Sequence, residues 1–168
     1  MNVWKKIGVL LICLLIFFMI KNQSVDFLKK SDQLAVFDQL PTLKQECAVD
    51  LIGFSMRGEF FDVIQYKAEN ILLKKDIKPI SKWGNRTIAG DAKIGQWKEC
   101  PIDDETKALF SLELDSANFE NSCFQELNRK LSQPGNFYAY IYADSGGSYF
   151  MLYTPKSNKL VYIRRNGV

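Results

Sequence analysis

The most apolar stretch of the chain runs from Ile7 to Ile20, fourteen residues without a charge. A helix that spans a bilayer needs about 20 apolar residues. Val3 and Trp4 extend the run at one end, and long lysine side chains at its borders can reach the lipid headgroups. The pattern therefore predicts a membrane helix within residues 3–20. The bordering lysines are Lys5, Lys6 and Lys21.

A run of this length also suits the hydrophobic region of a cleavable signal peptide. Cleavage requires small residues at positions −1 and −3, and residues 19–25 contain no pair with that spacing. Cys13 lies inside the apolar run, whereas the cysteine of a lipoprotein should follow it. We therefore expect an uncleaved anchor, residues 1–23. Its basic end stays in the cytoplasm, and the rest of the chain lies outside.

Residues 24–41 have apolar positions at loosely helical spacing, and Pro41 ends the pattern. We interpret this segment as an amphipathic, stalk-like helix; the alternative is a helix packed on its own domain. Residues 42–168 are enough chain for one domain with a buried core. The expected arrangement is a single-pass protein of the bacterial inner membrane with an α+β domain in the periplasm.

Two strand-like runs, residues 47–56 and 59–67, are joined by a short segment containing Gly58 and predict a β-hairpin. Residues 94–100 predict another strand. Residues 122–131 predict a helix, because Phe124, Leu127 and Leu131 recur on one side of it. We leave open whether residues 109–114 form a helix or a strand.

The last third of the chain predicts a three-stranded antiparallel meander. Its strands, residues 137–143, 149–154 and 160–164, are separated by turn-forming residues. The predicted fold class is α+β: an N-terminal membrane helix, then a domain whose antiparallel sheet is packed by one or two helices.

Six of the seven tyrosines lie in this meander. Alternation along each strand allows all six to share one face of the sheet. Tyrosine is enriched in interfaces, so we interpret this face as a surface for a protein partner, or for a sugar or another small planar ligand. The alternative is a covered face on which the rings pack as cross-strand pairs. The six residues are Tyr138, Tyr140, Tyr142, Tyr149, Tyr153 and Tyr162.

Trp83 and Arg86 lie in the loop-like stretch of residues 77–91. Both residue types anchor protein interfaces, and loops often carry function. We add both residues to the predicted binding surface. The alternative is that Trp83 folds back onto the core.

The chain contains no histidine, which removes the commonest general base and the commonest zinc ligand. The acids from Asp103 to Glu105 are best explained as the first turn of a helix with Asp103 as its N-cap. We expect no metal, no cofactor and no enzyme. A carboxylate enzyme using Asp62 or Asp91 with this acidic cluster is the least favoured alternative.

The net charge is +3, and basic and acidic residues nearly balance outside the membrane run, which argues against a nucleic-acid partner. Cys47, Cys100 and Cys123 lie outside that run. In an oxidising compartment we expect one disulfide, Cys100 with Cys123, and one free thiol. Three buried, reduced cysteines are the alternative.

These features predict a membrane-anchored binding protein of a bacterial envelope. An inhibitor or immunity protein against a toxin or hydrolase is the form that we favour. An accessory structural subunit of an envelope assembly is the alternative.

Overall fold

The computed structural model describes residues 28–52, 59–84, 86–88, 90, 92–118, 124, 126–143 and 147–167. The predicted membrane anchor and the first four residues of the predicted stalk helix lie outside these ranges. Within them, no helix has both the length and the apolar character needed to cross a membrane.

The described residues build a six-stranded sheet in which every neighbouring pair is antiparallel. The strand order is β1-β2-β8-β7-β6-β5, and β3 and β4 form a separate small hairpin. The pairing of the first two strands, the strand near residue 97 and the C-terminal meander are confirmed. The first strand, however, is Thr42–Asp50 and not residues 47–56, and the turn predicted at Gly58 lies outside the described residues. The strands are β1 (Thr42–Asp50), β2 (Phe60–Glu69), β3 (Lys82–Trp83), β4 (Arg86–Thr87), β5 (Lys93–Glu99), β6 (Phe137–Ala143), β7 (Gly147–Thr154) and β8 (Lys159–Asn166).

The helices are short. In the described part of the predicted stalk, residues 28–41, only Lys30–Val36 is helical, because Phe37 is extended and pairs with Leu73. Residues 109–114, left open above, are helical except for Phe110, which separates two successive helices. The helices are α1 (Lys30–Val36), α2 (Asp104–Leu109), α3 (Ser111–Asn118) and α4 (Leu127–Leu131), with a 3₁₀ turn at Pro155–Ser157.

Both faces of the sheet are covered. One face, here the helical face, packs on α2, α3 and α4; its core includes Val63, Phe150, Leu152, Val161 and Ile163 from the strands. The opposite face, here the hairpin face, packs on α1 and on the β3–β4 hairpin; its core includes Ile64, Ala139, Ile141, Met151 and Leu160. Burial on both faces explains the unbroken apolar runs in β7, from Tyr149 to Tyr153, and in β8, from Leu160 to Ile163.

The β5 edge of the sheet is partly closed by the chain itself. A bulge between Gly95 and Lys98 releases Gln96 and Trp97 from pairing with β6. The Gln96 side chain exchanges two hydrogen bonds with the backbone of Ile77, at 2.6 and 2.9 Å. Trp97 Nε1 donates to the Val36 carbonyl at 2.8 Å. The loop that follows Asp76 and the end of α1 are thereby fixed against β5.

The β1 edge is exposed along most of its length. It carries the charged side chains of Lys44, Glu46 and Asp50 and a bulge between Gln45 and Cys47. Charges and bulges on an edge strand discourage the addition of a further strand. Strand addition is therefore a poor explanation for partner binding at this edge.

Candidate functional site

The six meander tyrosines do not share a face, so the single tyrosine face predicted from the sequence is wrong. Tyr138 lies opposite Leu152 and Tyr140 opposite Phe150, whereas Tyr149 lies opposite Ile141. Directly opposed residues of an antiparallel pair point to the same side of the sheet. Three tyrosines, Tyr138, Tyr140 and Tyr142, therefore lie on the helical face. The other three, Tyr149, Tyr153 and Tyr162, lie on the hairpin face.

The reason is the number of residues between β6 and β7. Ala143 is paired with Gly147, so three residues separate the strands and even-numbered positions oppose even-numbered ones. Alternation within a strand does not fix the register between strands, and a slip of one residue moves every side chain to the other face.

The hairpin-face tyrosines pack around Trp83, which is 1% exposed. Trp83 Nε1 donates a hydrogen bond to the Tyr162 hydroxyl at 2.7 Å, and its ring centroid lies 5.8 Å from that of Tyr149. Burial raises the pKa of Tyr162 well above its ordinary value. Tyr153 is also buried. The alternative interpretation, that Trp83 folds back onto the core, is confirmed.

The β3–β4 hairpin is also fastened to α1. The backbone N–H of Gly84 donates to Asp32 Oδ2 at 3.0 Å, and burial raises the pKa of this carboxyl. The backbone of Arg86 belongs to β4, opposite Trp83; its side chain lies outside the described part. Four residues of the predicted binding surface are therefore buried in the core of the hairpin face. They are Trp83, Tyr149, Tyr153 and Tyr162.

On the helical face, Tyr138 is buried and has a structural role. Its hydroxyl donates to Asp103 Oδ2 at 2.6 Å, while Asp103 Oδ1 accepts from the backbone N–H of Thr106 at 2.7 Å. The hydrogen bond from Tyr138 is the main reason why the pKa of Asp103 lies well below its usual range, and the bond from Thr106 lowers it further. Asp103 is therefore the N-cap of α2, as predicted.

Tyr140 and Tyr142 differ from the other four because they are only half-buried. Their rings lie 5.3 and 5.8 Å from the ring of Phe110. Their partners on the edge strand β5 are Gly95, opposite Tyr140, and Lys93, opposite Tyr142. Because β5 is the last strand of the sheet, these rings lie beside its edge. We call Tyr140, Tyr142 and Lys93 the tyrosine edge.

Asp62 and Asp103, the described carboxylates of the alternative enzyme, do not meet in a shared cleft. Asp62 Oδ2 accepts from Arg164 Nε at 2.7 Å on the hairpin face, and burial raises the pKa of Asp62. Asp103 contacts Tyr138 on the helical face, so the sheet separates the two acids. Asp91 lies outside the described residues. Over the same part of the chain, no cluster of acidic and cysteine side chains could hold a metal ion.

A cavity of about 230 Å³ lies between α1 and the start of β1. Its volume falls below the range of about 300–1,000 Å³ that is usual for small-molecule sites. It therefore gives no reason to assign a cofactor. The lining residues are Leu28, Lys30, Gln33, Leu40, Pro41, Leu43 and Tyr66.

The predicted Cys100–Cys123 disulfide is wrong, because Cys100 is a buried, free cysteine. Its side chain belongs to the core of the helical face, and burial raises the pKa of its thiol to about 11. Cys47, on the edge strand β1, is disulfide-bonded instead. Cys123 lies outside the described residues. No local pattern around the cysteines distinguishes Cys47 as the paired one.

Comparison of the chain with protein-family models, with curated proteins and with solved structures found no match. Among the described side chains of the predicted binding surface, those of Tyr140 and Tyr142 stay partly exposed, and Tyr142 lies opposite the exposed Lys93.

Proposed function

We propose that the protein is a membrane-anchored, extracytoplasmic binding protein of a bacterial envelope, and that the tyrosine edge contacts a protein partner. The observation that carries this proposal is the partial exposure of Tyr140 and Tyr142 beside an edge strand. Tyrosine contributes a large, rigid contact area at low entropic cost. The neighbouring Lys93 adds a long side chain that can cover apolar surface and carry a charge at the rim.

Preorganisation supports an inhibitory type of binding. The Tyr140 and Tyr142 rings pack against the buried ring of Phe110, and the Tyr140 ring also lies over Gly95. A surface that is already ordered loses little conformational entropy when a partner binds. Rigid surfaces of this kind are typical of inhibitors, whose backbones move little on complex formation. A toxin or a hydrolase of the envelope is the partner class that we propose.

The disulfide at Cys47 supports the extracytoplasmic placement, because structural disulfides persist in oxidising compartments. Together with the apolar run of residues 7–20, it agrees with a domain held outside the inner membrane by an N-terminal anchor.

Affinity capture tests the proposed surface. The tagged full-length chain, its Tyr142→Ala variant and a Lys156→Ala control are recovered from detergent-solubilised membranes of the host. Lys156 is exposed in the turn after β7, at the other end of the meander from Tyr142. We expect one protein to accompany the wild type and the control and to be lost with Tyr142→Ala.

Thermal unfolding of each purified protein shows whether the variant remains folded. Tyr142→Phe keeps the ring and its packing, so we expect it to retain most of the partner. Equal recovery of the partner by folded Tyr142→Ala and by the wild type would refute a role for the tyrosine edge.

A further inference from the structure

Three exposed leucines lie on the outer side of the layer that covers the hairpin face. Leu34 is 45% exposed, Leu40 is 44% exposed and Leu72 is 53% exposed. A single exposed leucine needs no explanation, but a group of them on adjacent segments marks a surface that contacts another apolar phase. We call these three residues the leucine surface.

The backbone brings the three leucines together. The segment that follows α1 runs antiparallel to residues 70–74: the N–H of Asp38 donates to the Leu72 carbonyl at 2.9 Å, and Lys74 N donates to Val36 O at 3.1 Å. At one end of this pairing, Lys74 Nζ donates to the Leu34 carbonyl at 2.9 Å. At the other end, Gln39 Nε2 donates to the Asn70 carbonyl at 3.2 Å, one residue before Leu40.

Several lysines lie on the segments that carry the leucine surface. Lys30, Lys75 and Lys78 are exposed, and Lys74 is half-buried. The exposed acids on the same segments are Asp38 and Asp76. Leucines flanked by lysines suit the interface of a phospholipid bilayer, where apolar side chains reach the acyl boundary and lysines meet the phosphates.

The position of residue 28 makes the bilayer the nearest apolar phase. Leu28 lines the same cavity as Lys30 and Leu40, so the chain joins the domain beside the leucine surface. Seven residues, 21–27, separate Leu28 from the apolar run. At about 3.5 Å per residue they can span at most about 25 Å. This short connection confines the leucine surface to the neighbourhood of the membrane.

We propose that the leucine surface rests on the bilayer in which the apolar run is anchored. This inference rests on the proposed membrane anchoring. It orients the domain: the hairpin-face layer is directed towards lipid, and helices α2, α3 and α4, on the opposite side of the sheet, are directed away from it.

Photo-crosslinking of the full chain in phospholipid nanodiscs tests the orientation. p-Benzoylphenylalanine replaces Ile12 in the apolar run, Leu72 in the leucine surface, or Leu112 in α3. Leu112 is 49% exposed and lies on the helical side, which makes it a matched control for Leu72. Mass spectrometry after irradiation detects covalent lipid adducts.

We expect adducts at positions 12 and 72, with a yield at 72 on the order of tenfold above that at 112, because only the former side chain reaches the interfacial region. If position 12 gives an adduct, the anchor is supported. Comparable yields at 72 and 112, or no adduct at 72, would then overturn the proposed orientation alone. A missing adduct at 12 would overturn the anchor and the orientation together.

Discussion

The ring of Tyr140 lies over Gly95 of the neighbouring strand, so that a β-carbon at position 95 would be 2.2 Å from Tyr140 Cε1. Separations below 3.0 Å do not occur for real β-carbons, and a tyrosine ring can yield only by rotating away. The missing side chain at Gly95 therefore determines where the Tyr140 ring lies. Since Tyr140 belongs to the tyrosine edge, this contact also holds the proposed binding surface in shape.

Gly95→Ala tests this contact. We expect it to lower the free energy of unfolding by about 2 kcal/mol, a typical cost of inserting a methyl group into a packed site. Gly90→Ala is the control, since nothing lies within 4 Å of a β-carbon there. Denaturant titration measures both variants. In Gly95→Ala/Tyr140→Ala the penalty at position 95 should shrink, and an unchanged penalty would show that the ring is not its cause.

Trp83→Phe removes the indole N–H that donates to the buried Tyr162 hydroxyl. We expect a loss of about 2 kcal/mol in the free energy of unfolding, because a buried hydroxyl then lacks its donor. Tyr162→Phe should cost a similar amount, and the double variant less than the sum of the two. Tyr153→Phe, a hydroxyl removed from the same face, serves as control. Additive losses in the double variant would contradict the coupling.

Asp103→Asn tests the charge of the α2 cap. Hydrogen bonds, chiefly from Tyr138, depress the pKa of Asp103 in the folded protein. The ionised carboxylate therefore stabilises the fold above its unfolded pKa, about 3.8, and this contribution is lost as the pH falls below that value. We expect Asp103→Asn to be about 1 kcal/mol less stable at pH 7, a modest figure for a partly exposed group.

The measurement is the denaturant midpoint of both proteins between pH 3 and pH 7, with Asp104→Asn as the neighbouring exposed control. The difference between wild type and Asp103→Asn should narrow below about pH 4, because Asp103 of the unfolded chain gains a proton there while the folded protein, with its lowered pKa, does not. A constant or widening difference would show that the charge of Asp103 is not responsible.

Peptide mapping identifies which cysteines are free and which are disulfide-bonded. Alkylation of the native protein should leave Cys100 unmodified, since it is buried and its raised pKa, about 11, keeps the thiol protonated. Cys47 should react only after reduction. We expect its partner to be Cys123, because Phe124 packs in the same core that Cys47 borders. A peptide linking Cys47 to Cys13 would contradict that pairing.

The strands were predictable because their composition and turns are local properties. The meander and the first hairpin follow from alternating apolar residues bounded by turn formers. Likewise, Asp103 was recognisable as an N-cap from the acids that follow it. The stalk was predicted too long, since the backbone pairing of Phe37 with Leu73 is a tertiary contact that no local pattern contains.

The site was less predictable than the strands. The tyrosines lie on two faces because of the register of β6 against β7. A loop longer or shorter by one residue would change that register and move side chains to the other face. The burial of Trp83 involves a hydrogen-bond partner, Tyr162, that is distant in the sequence. The exposure of Tyr140 and Tyr142 follows from their place beside the edge strand β5, and strand order is not a local property.

Photo-crosslinking in living cells tests the proposed function most directly. p-Benzoylphenylalanine replaces Tyr142 in the full-length chain in its own host, and the exposed Lys156 position is the control. We expect one discrete covalent protein adduct from position 142 and none from position 156. No protein adduct at position 142, or the same adducts at both positions, would contradict a partner-binding tyrosine edge.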